Sequence, residues 1–547
     1  MQFNFALSIS AREWTRVLLV TVFAVALVHI PYGLGYAFAP ADLQFTGIMM
    51  NPEDSQSYFA KMLQGYDGNW LYTIPFTTEE HAPAFVGGFY IALGHFARVS
   101  NLSLEATWHL ARIVADGALF LVTFMFIATF LPNPRARWIA YWLALFGSGQ
   151  GWLLFLFNQP YWLDAFPVDF KMPEAHLFFC AMAFPHVALG ATLIQISFWC
   201  IVQAVAQPVR AFAFAGAAGI TNLALAIVYP FLIYLTALTT GLYWIFLSVR
   251  ARRWLWREQV LCAIAFLIPA PLVLGYAWTL ATNPVFRAWD AQSITLSPPL
   301  PHYVLAYGVL LLFAAPGLRL KRGEFTFLWV WLVAVGLLVY APLNPQRRFV
   351  QGVHIPLVIL ATVGFLDLFL PWVQRTRAFQ WLIAQPRYSS AGLERFLIVA
   401  FLIMFSLSNW YILASVSLTA TVEQPYPLFR PLGEAEAVAW LRTQTTRSQV
   451  VVGLYESGNY IAARAGNRVV VGHWAETLEW ETKFDAAENF FGVADDAWRR
   501  DFLTRYRVEY VWFGARERAS GGFEPRRLVN LEPVYSNSDV MLFKVLR

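Results

Sequence analysis

Four short polar stretches interrupt an otherwise apolar chain, and each carries side chains suited to chemistry. The first is Asn51-Pro52-Glu53-Asp54-Ser55-Gln56-Ser57-Tyr58. A carboxylate held at the mouth of a helical bundle can accept a proton from a hydroxyl arriving from the water side. Asn51 is placed to cap a helix whose first turn holds Pro52, Glu53 and Asp54. Helical spacing then sets Asp54 and Tyr58 on one face. Acids at a helix start also serve simply as caps, so location rather than residue type singles this pair out. The second stretch, Thr77-Thr78-Glu79-Glu80-His81-Ala82-Pro83, groups Glu80 and His81 as possible ligands for an anionic head group or a metal. The third gathers Asp164, Asp169, Lys171, Glu174 and His176, an oxygen-rich set that suits Mg2+ or Mn2+. The fourth is Arg347-Arg348, inside Asn344-Pro345-Gln346-Arg347-Arg348-Phe349, where guanidinium forks match phosphate oxygens. Arg112 is a candidate second cation at the same surface. His186, after Pro185, is an ionisable side chain within an apolar run, which marks function by default. The sequence has no P-loop, no Ser-His-Asp set and no paired CxxC site.

What must position these groups is a membrane bundle. The 547 residues are 58% hydrophobic and only 13% charged, against about 25% charged in soluble domains. Mean hydropathy is +0.50. Apolar runs near 17–38, 108–131, 138–157, 177–205, 211–227, 229–249, 259–281, 303–318, 325–341, 352–371 and 396–418 predict about eleven transmembrane helices. Pro230 divides residues 211–249 into a hairpin. Residues 84–99 are apolar but too short to span, and read as a helix lying on the membrane.

With that segment on the surface, the basic clusters fall on one side. They are Arg12/Arg16, Arg135/Arg137, Arg210, Arg250/Arg252/Arg253/Arg257, Arg319/Lys321/Arg322 and Arg375/Arg377/Arg387/Arg395. The positive-inside rule makes that side cytoplasmic, so the N-terminus lies inside and the C-terminal domain outside the plasma membrane. The acids then concentrate in outer loops, chiefly 39–107 and 158–176. The net charge of +5 follows topology and does not indicate a nucleic-acid partner. Cys180, Cys200 and Cys262 all lie in apolar runs and report nothing on redox compartment.

Composition shifts near Pro425. The chain divides on this reading into a membrane domain, 1–420, with its long first loop 39–107, and a soluble domain, 425–547. Helices are expected at 434–443 and 498–506, and strands at 450–454, 469–472, 508–513 and 540–545, giving a small α/β domain. His473-Trp474-Ala475-Glu476 follows a strand end, a common place for ligand groups.

This layout resembles the type C (GT-C) glycosyltransferase superfamily. The residues that carry the likeness are Asp54-Ser55-Gln56-Ser57-Tyr58, Glu80-His81-Ala82-Pro83, Leu110-Ala111-Arg112 and the Arg347-Arg348 loop. The chain departs from the pattern at Ser55, where many members have an acid, and at His81-Ala82, where aminoarabinose-type members have Lys-Pro. The resemblance implies a polyprenyl-phosphate sugar donor and an inverting displacement onto a glycan, lipid or protein acceptor. It puts Asp54 in the place of a catalytic base or metal ligand, and Tyr58 and His186 are read as supporting residues. Arg347, Arg348, Arg112 and His81 would hold the donor phosphate. Glu53, Glu80, Asp164, Asp169, Glu174 and His176 would bind acceptor or metal. No cofactor is certain. A transporter or assembly subunit that kept the fold is the rival reading, and an oligosaccharide ligase a third. A transporter would be expected to show internal repeats and mid-membrane charges.

Overall fold

The computed structural model describes residues 9–320 and 323–546; Lys321 and Arg322 of the fifth basic cluster lie outside them. Among the described residues, by length and composition, seven helices can cross a membrane, or up to nine if each of two bent pairs is one span. The bends, 52° between Trp256–Leu267 and Ala270–Thr282 and 50° between Ser390–Met404 and Leu407–Glu423, interrupt runs that the sequence presents as continuous. The two other expected spans, 138–157 and 325–341, contain Pro134–Phe146 and Thr326–Leu338, of 13 residues each. Such helices are roughly 20 Å long. The hairpin at Pro230 is present, as Ala211–Val228 and Leu232–Ala251.

The chain forms two compact units. One comprises residues 1–30, 112–274 and 295–415 and holds most of the apolar helices. Its run 177–205 is broken: Leu177–Ala183 stops at Phe184, which has extended backbone, and Pro185–Ala206 restarts with proline in its first turn. A residue before proline is pushed out of helical geometry, which accounts for the break.

The other unit comprises 31–111, 275–294 and 416–547. The first loop thus belongs with the C-terminal segment, whereas the sequence groups it with the spans. Two pairings explain this. Strand β1 (Leu43–Phe45) runs antiparallel to β2 (Phe429–Pro431), and helix Pro52–Tyr66 packs on helix Tyr455–Arg464. Strands β3 (Val450–Val452), β4 (Arg468–Val469), β5 (Val508–Phe513), β6 (Leu531–Ser536) and β7 (Met541–Val545) form one sheet in the order β4-β3-β5-β7-β6. The first three are parallel and β7 runs antiparallel to β5 and β6. The sequence misses β6, whose residues are mostly half-buried or exposed and lack a continuous apolar run. It also misses helices Tyr455–Arg464 and Trp480–Phe491. The surface helix forms as Gly88–Ser100. Gly94 on it meets the backbone of Met62, and Gly65 meets that of Ile91, so a side chain at either glycine would separate the two helices.

Candidate functional site

Helix Pro52–Tyr66 starts as its sequence dictates, with Pro52 in the first turn. The cap is different. Asn51 adopts a left-handed backbone (φ 42°) and makes no side-chain cap bond; asparagine tolerates that region better than most residues. Along the helix, Asp54, Ser57 and Lys61 stand at i, i+3 and i+7, and so share one face. That face meets the loop leaving β4. His473 Nε2 lies 3.1 Å from Asp54 Oδ1. The Asp54 side chain keeps 27% of its surface exposed, while His473 is buried.

One turn along, Glu476 is fully engaged. Its Oε1 accepts from Ser57 Oγ at 2.5 Å and from Lys61 Nζ at 2.7 Å. Its Oε2 accepts from the Tyr72 hydroxyl at 2.6 Å. Burial works against charge on Glu476, but the Lys61 ammonium, then His473, then hydrogen bonds from Lys61 and Ser57 outweigh it and hold the carboxyl below the usual glutamate value. Burial and the Glu476 charge push the Tyr72 phenol well up, so Tyr72 stays a donor. Neither Lys61 nor Glu476 could be buried alone; paired and hydrogen-bonded, both are tolerated.

The second predicted stretch serves to fix a loop. His81 Nε2 accepts the Ile74 N–H at 3.0 Å, and its Nδ1 faces the Glu79 carbonyl at 2.9 Å. Burial lowers its pKa. Both nitrogens are thus used by backbone groups and the ring is disfavoured as a cation, which works against the phosphate-binding role expected of His81. Glu80 meets Arg507 at 3.1 Å with both side chains exposed, a pair of small energetic weight. Buried Lys483 takes Glu79 at 2.6 Å. Glu53 bonds the Tyr455 phenol. Tyr58 stacks on Tyr90 (4.4 Å between centroids), which in turn stacks on Trp108 (5.6 Å).

In the membrane unit, Arg348 Nη1 donates to the Tyr229 hydroxyl at 3.1 Å, and Tyr229 donates to Glu174 Oε1 at 2.9 Å. The His186 ring meets Tyr229 edge-on at 4.7 Å. Arg348, Tyr229, Glu174 and His186 therefore form one connected group. Arg347 is half-buried beside Tyr303. Arg112 is fully buried and donates to the carbonyls of Ala181 (3.4 Å) and Met182 (2.9 Å), at the broken end of helix Leu177–Ala183.

Asp169 is buried and accepts from Gly151 N–H at 3.0 Å and Ser408 Oγ at 2.5 Å, tying two loops together. Asp164 sits in a left-handed turn, φ 56°. His176 packs against His354, 4.8 Å between centroids, with no hydrogen-bond partner for either nitrogen among the described residues. The expected metal set thus does not converge. Asp169 Oδ2 is taken by Ser408 and Gly151, and Glu174 Oε1 by Tyr229. Among the described residues no group of three or more His, Cys, Asp or Glu is placed to hold an ion.

Sequence reasoning found Asp54 but not Lys61, Ser57, Tyr72 or Glu476 as its surroundings. A signal was present: a lysine in the apolar run Phe59-Ala60-Lys61-Met62-Leu63 requires a buried carboxylate.

No protein-family model matches the chain, and no curated protein matches its sequence. Solved structures do. ArnT of Cupriavidus metallidurans, solved bound to undecaprenyl phosphate, is 10% identical, with 98% of each chain covered and a TM-score of 0.56. The arabinofuranosyltransferase AftD from Mycobacteria is 14% identical with a TM-score of 0.52; 99% of this chain covers 42% of that one. The oligosaccharyltransferase of Archaeoglobus fulgidus, in its apo form, is 12% identical with a TM-score of 0.51, covering 90% of this chain and 69% of its own. These are likenesses of backbone rather than of sequence. The protein is a polytopic membrane protein with the fold of the type C glycosyltransferases.

Proposed function

We propose that the protein is a membrane glycosyltransferase that moves a sugar from a polyprenyl-phosphate donor to an acceptor on the extracytoplasmic face. The observation that carries the reading is Asp54: a partly exposed carboxylate, fixed through Oδ1 in the first turn of its helix, in a chain of this fold. In the proposed step the acceptor oxygen attacks the anomeric carbon and its proton passes to the Asp54 carboxylate. The bond from that carbon to the phosphate oxygen breaks, its electron pair leaves with polyprenyl phosphate, and the anomeric configuration inverts. In the membrane unit, Arg347 and Arg348 are the groups proposed to bind the phosphate of the donor. Tyr229 and Glu174 orient Arg348 for that task.

The N-terminus is cytoplasmic and residues 425–547 extracytoplasmic on this reading, in accord with the charge asymmetry of the loops. The test uses purified protein in nanodiscs with a panel of polyprenyl-phosphate sugars carrying radiolabelled sugar, including oligosaccharide donors. Wild type should release label from a donor. Asp54→Asn should lower the rate by about 10²- to 10⁴-fold, the usual weight of a general base. Release at wild-type rate by Asp54→Asn would refute the role of Asp54, and no release from any donor by folded protein would refute the enzyme.

A further inference from the structure

We infer that His473 is a positioning residue for Asp54, so that the C-terminal segment is part of the reaction machinery rather than an appendage. The inference rests on the glycosyltransferase reading for its activity arm only. Three observations carry it. First, the contact is direct: His473 Nε2 stands 3.1 Å from Asp54 Oδ1 across 419 residues of sequence. A carboxylate only accepts, so Nε2 bears the hydrogen, and Oδ1 is the oxygen held. Second, the ring is set rigidly. It is buried, with the Phe76 and Trp474 rings each 5.9 Å away between centroids.

Third, the loop that bears it is anchored three residues on, where Glu476 takes Ser57, Lys61 and Tyr72. Ser57 and Lys61 lie on the same helix face as Asp54. The network therefore fixes the spacing between the His473 ring and the Asp54 carboxylate from both sides. Thr477 extends the anchor, its Oγ donating to the Phe76 carbonyl at 2.8 Å and accepting Gly472 N–H at 3.0 Å. The Asp54 side chain keeps 27% of its surface exposed, so the hold on Oδ1 bears on its orientation, and loss of orientation is costly in rate.

The test compares wild type, His473→Ala, His473→Gln, Asp54→Asn and the double variant Asp54→Asn/His473→Ala in nanodiscs, with the radiolabelled polyprenyl-phosphate sugar that wild type turns over. His473→Ala should lower kcat by about tenfold to hundredfold with donor KM within about twofold. His473→Gln, whose amide restores a donor near Nε2, should recover most of that loss. In the Asp54→Asn background, His473→Ala should cost nothing further, because the two act as a unit. Wild-type kcat in His473→Ala, or additive losses in the double variant, would overturn the assignment. If wild type turns over no donor, the enzyme reading has failed and 15N-histidine spectra of the same samples decide the contact. An Nε2–H resonance of His473 that shifts in Asp54→Asn supports positioning, and one that does not move overturns it.

Discussion

Lys61 Nζ lies 2.7 Å from Glu476 Oε1, with 5% and 3% of the two side chains exposed, although 415 residues separate them in sequence. The pair joins the first-loop helix to the loop after β4 without help from solvent. Removing one partner leaves a buried charge uncompensated, which usually costs about 3–5 kcal/mol. Glu476→Gln should therefore lower stability at pH 7 by about 3 kcal/mol, measured by tryptophan fluorescence during unfolding in detergent. Retention of wild-type stability would show that the pair is not holding the loop.

The same carboxylate predicts an acid response. Its pKa is lower folded than the ordinary glutamate value of 4.5, the Lys61 charge prevailing over burial. A depressed folded value contributes stability that is complete above the unfolded pKa and is lost as pH falls through the folded one. Wild type should thus lose stability progressively below about pH 4.5, and Glu476→Gln should show a shallower slope over the same window. Parallel curves would mean that other carboxylates dominate acid unfolding.

His81 is predicted to matter for folding and not for donor binding. His81→Ala leaves the Ile74 N–H without its acceptor, at a cost of about 1–3 kcal/mol. Thermal stability should fall by that amount, while KM for the donor stays within about twofold of wild type. A large rise in donor KM at unchanged stability would return His81 to the phosphate.

Arg347 and Arg348 should behave unlike each other. Arg348 is tied to Tyr229 and Glu174, so Arg348→Ala removes a cation and also releases Tyr229. Both Arg347→Ala and Arg348→Ala should weaken binding of polyprenyl phosphate by about tenfold, or 1.4 kcal/mol. Tyr229→Phe should reproduce part of the Arg348→Ala effect and leave that of Arg347→Ala untouched. Isothermal titration in nanodiscs reads the difference. Equal affinity in all variants would remove the arginines from the donor site.

Arg112, by contrast, should act on the fold. Its guanidinium holds carbonyls at the end of Leu177–Ala183, where the chain breaks before Pro185. Hydrogen bonds from a charged donor are worth about 1.5–3 kcal/mol, so Arg112→Ala should unfold at lower denaturant with polyprenyl-phosphate affinity unchanged. Lost affinity in fully stable protein would contradict this.

What the sequence determined by itself is local. Run length and hydropathy place a helix within each expected apolar run, because burial in a bilayer requires a contiguous apolar segment, although among the described residues seven to nine rather than eleven are long enough to cross. Pro52 and the acids after it mark a helix start, and the Val450-Val451-Val452 and Val508–Phe513 runs mark buried strands, because backbone preference and burial act over a few residues. The tertiary structure alone decided what each polar group does. Asp54 was legible as a candidate, but its partner His473 is 419 residues away. His81 and Asp169 have residue types that bind ligands, yet backbone and Ser408 groups use them. A polar side chain takes whichever partner the packed chain brings within hydrogen-bond reach, and burial makes that partnership obligatory. Neither the identity of the partner nor the burial is encoded in spacing along the sequence.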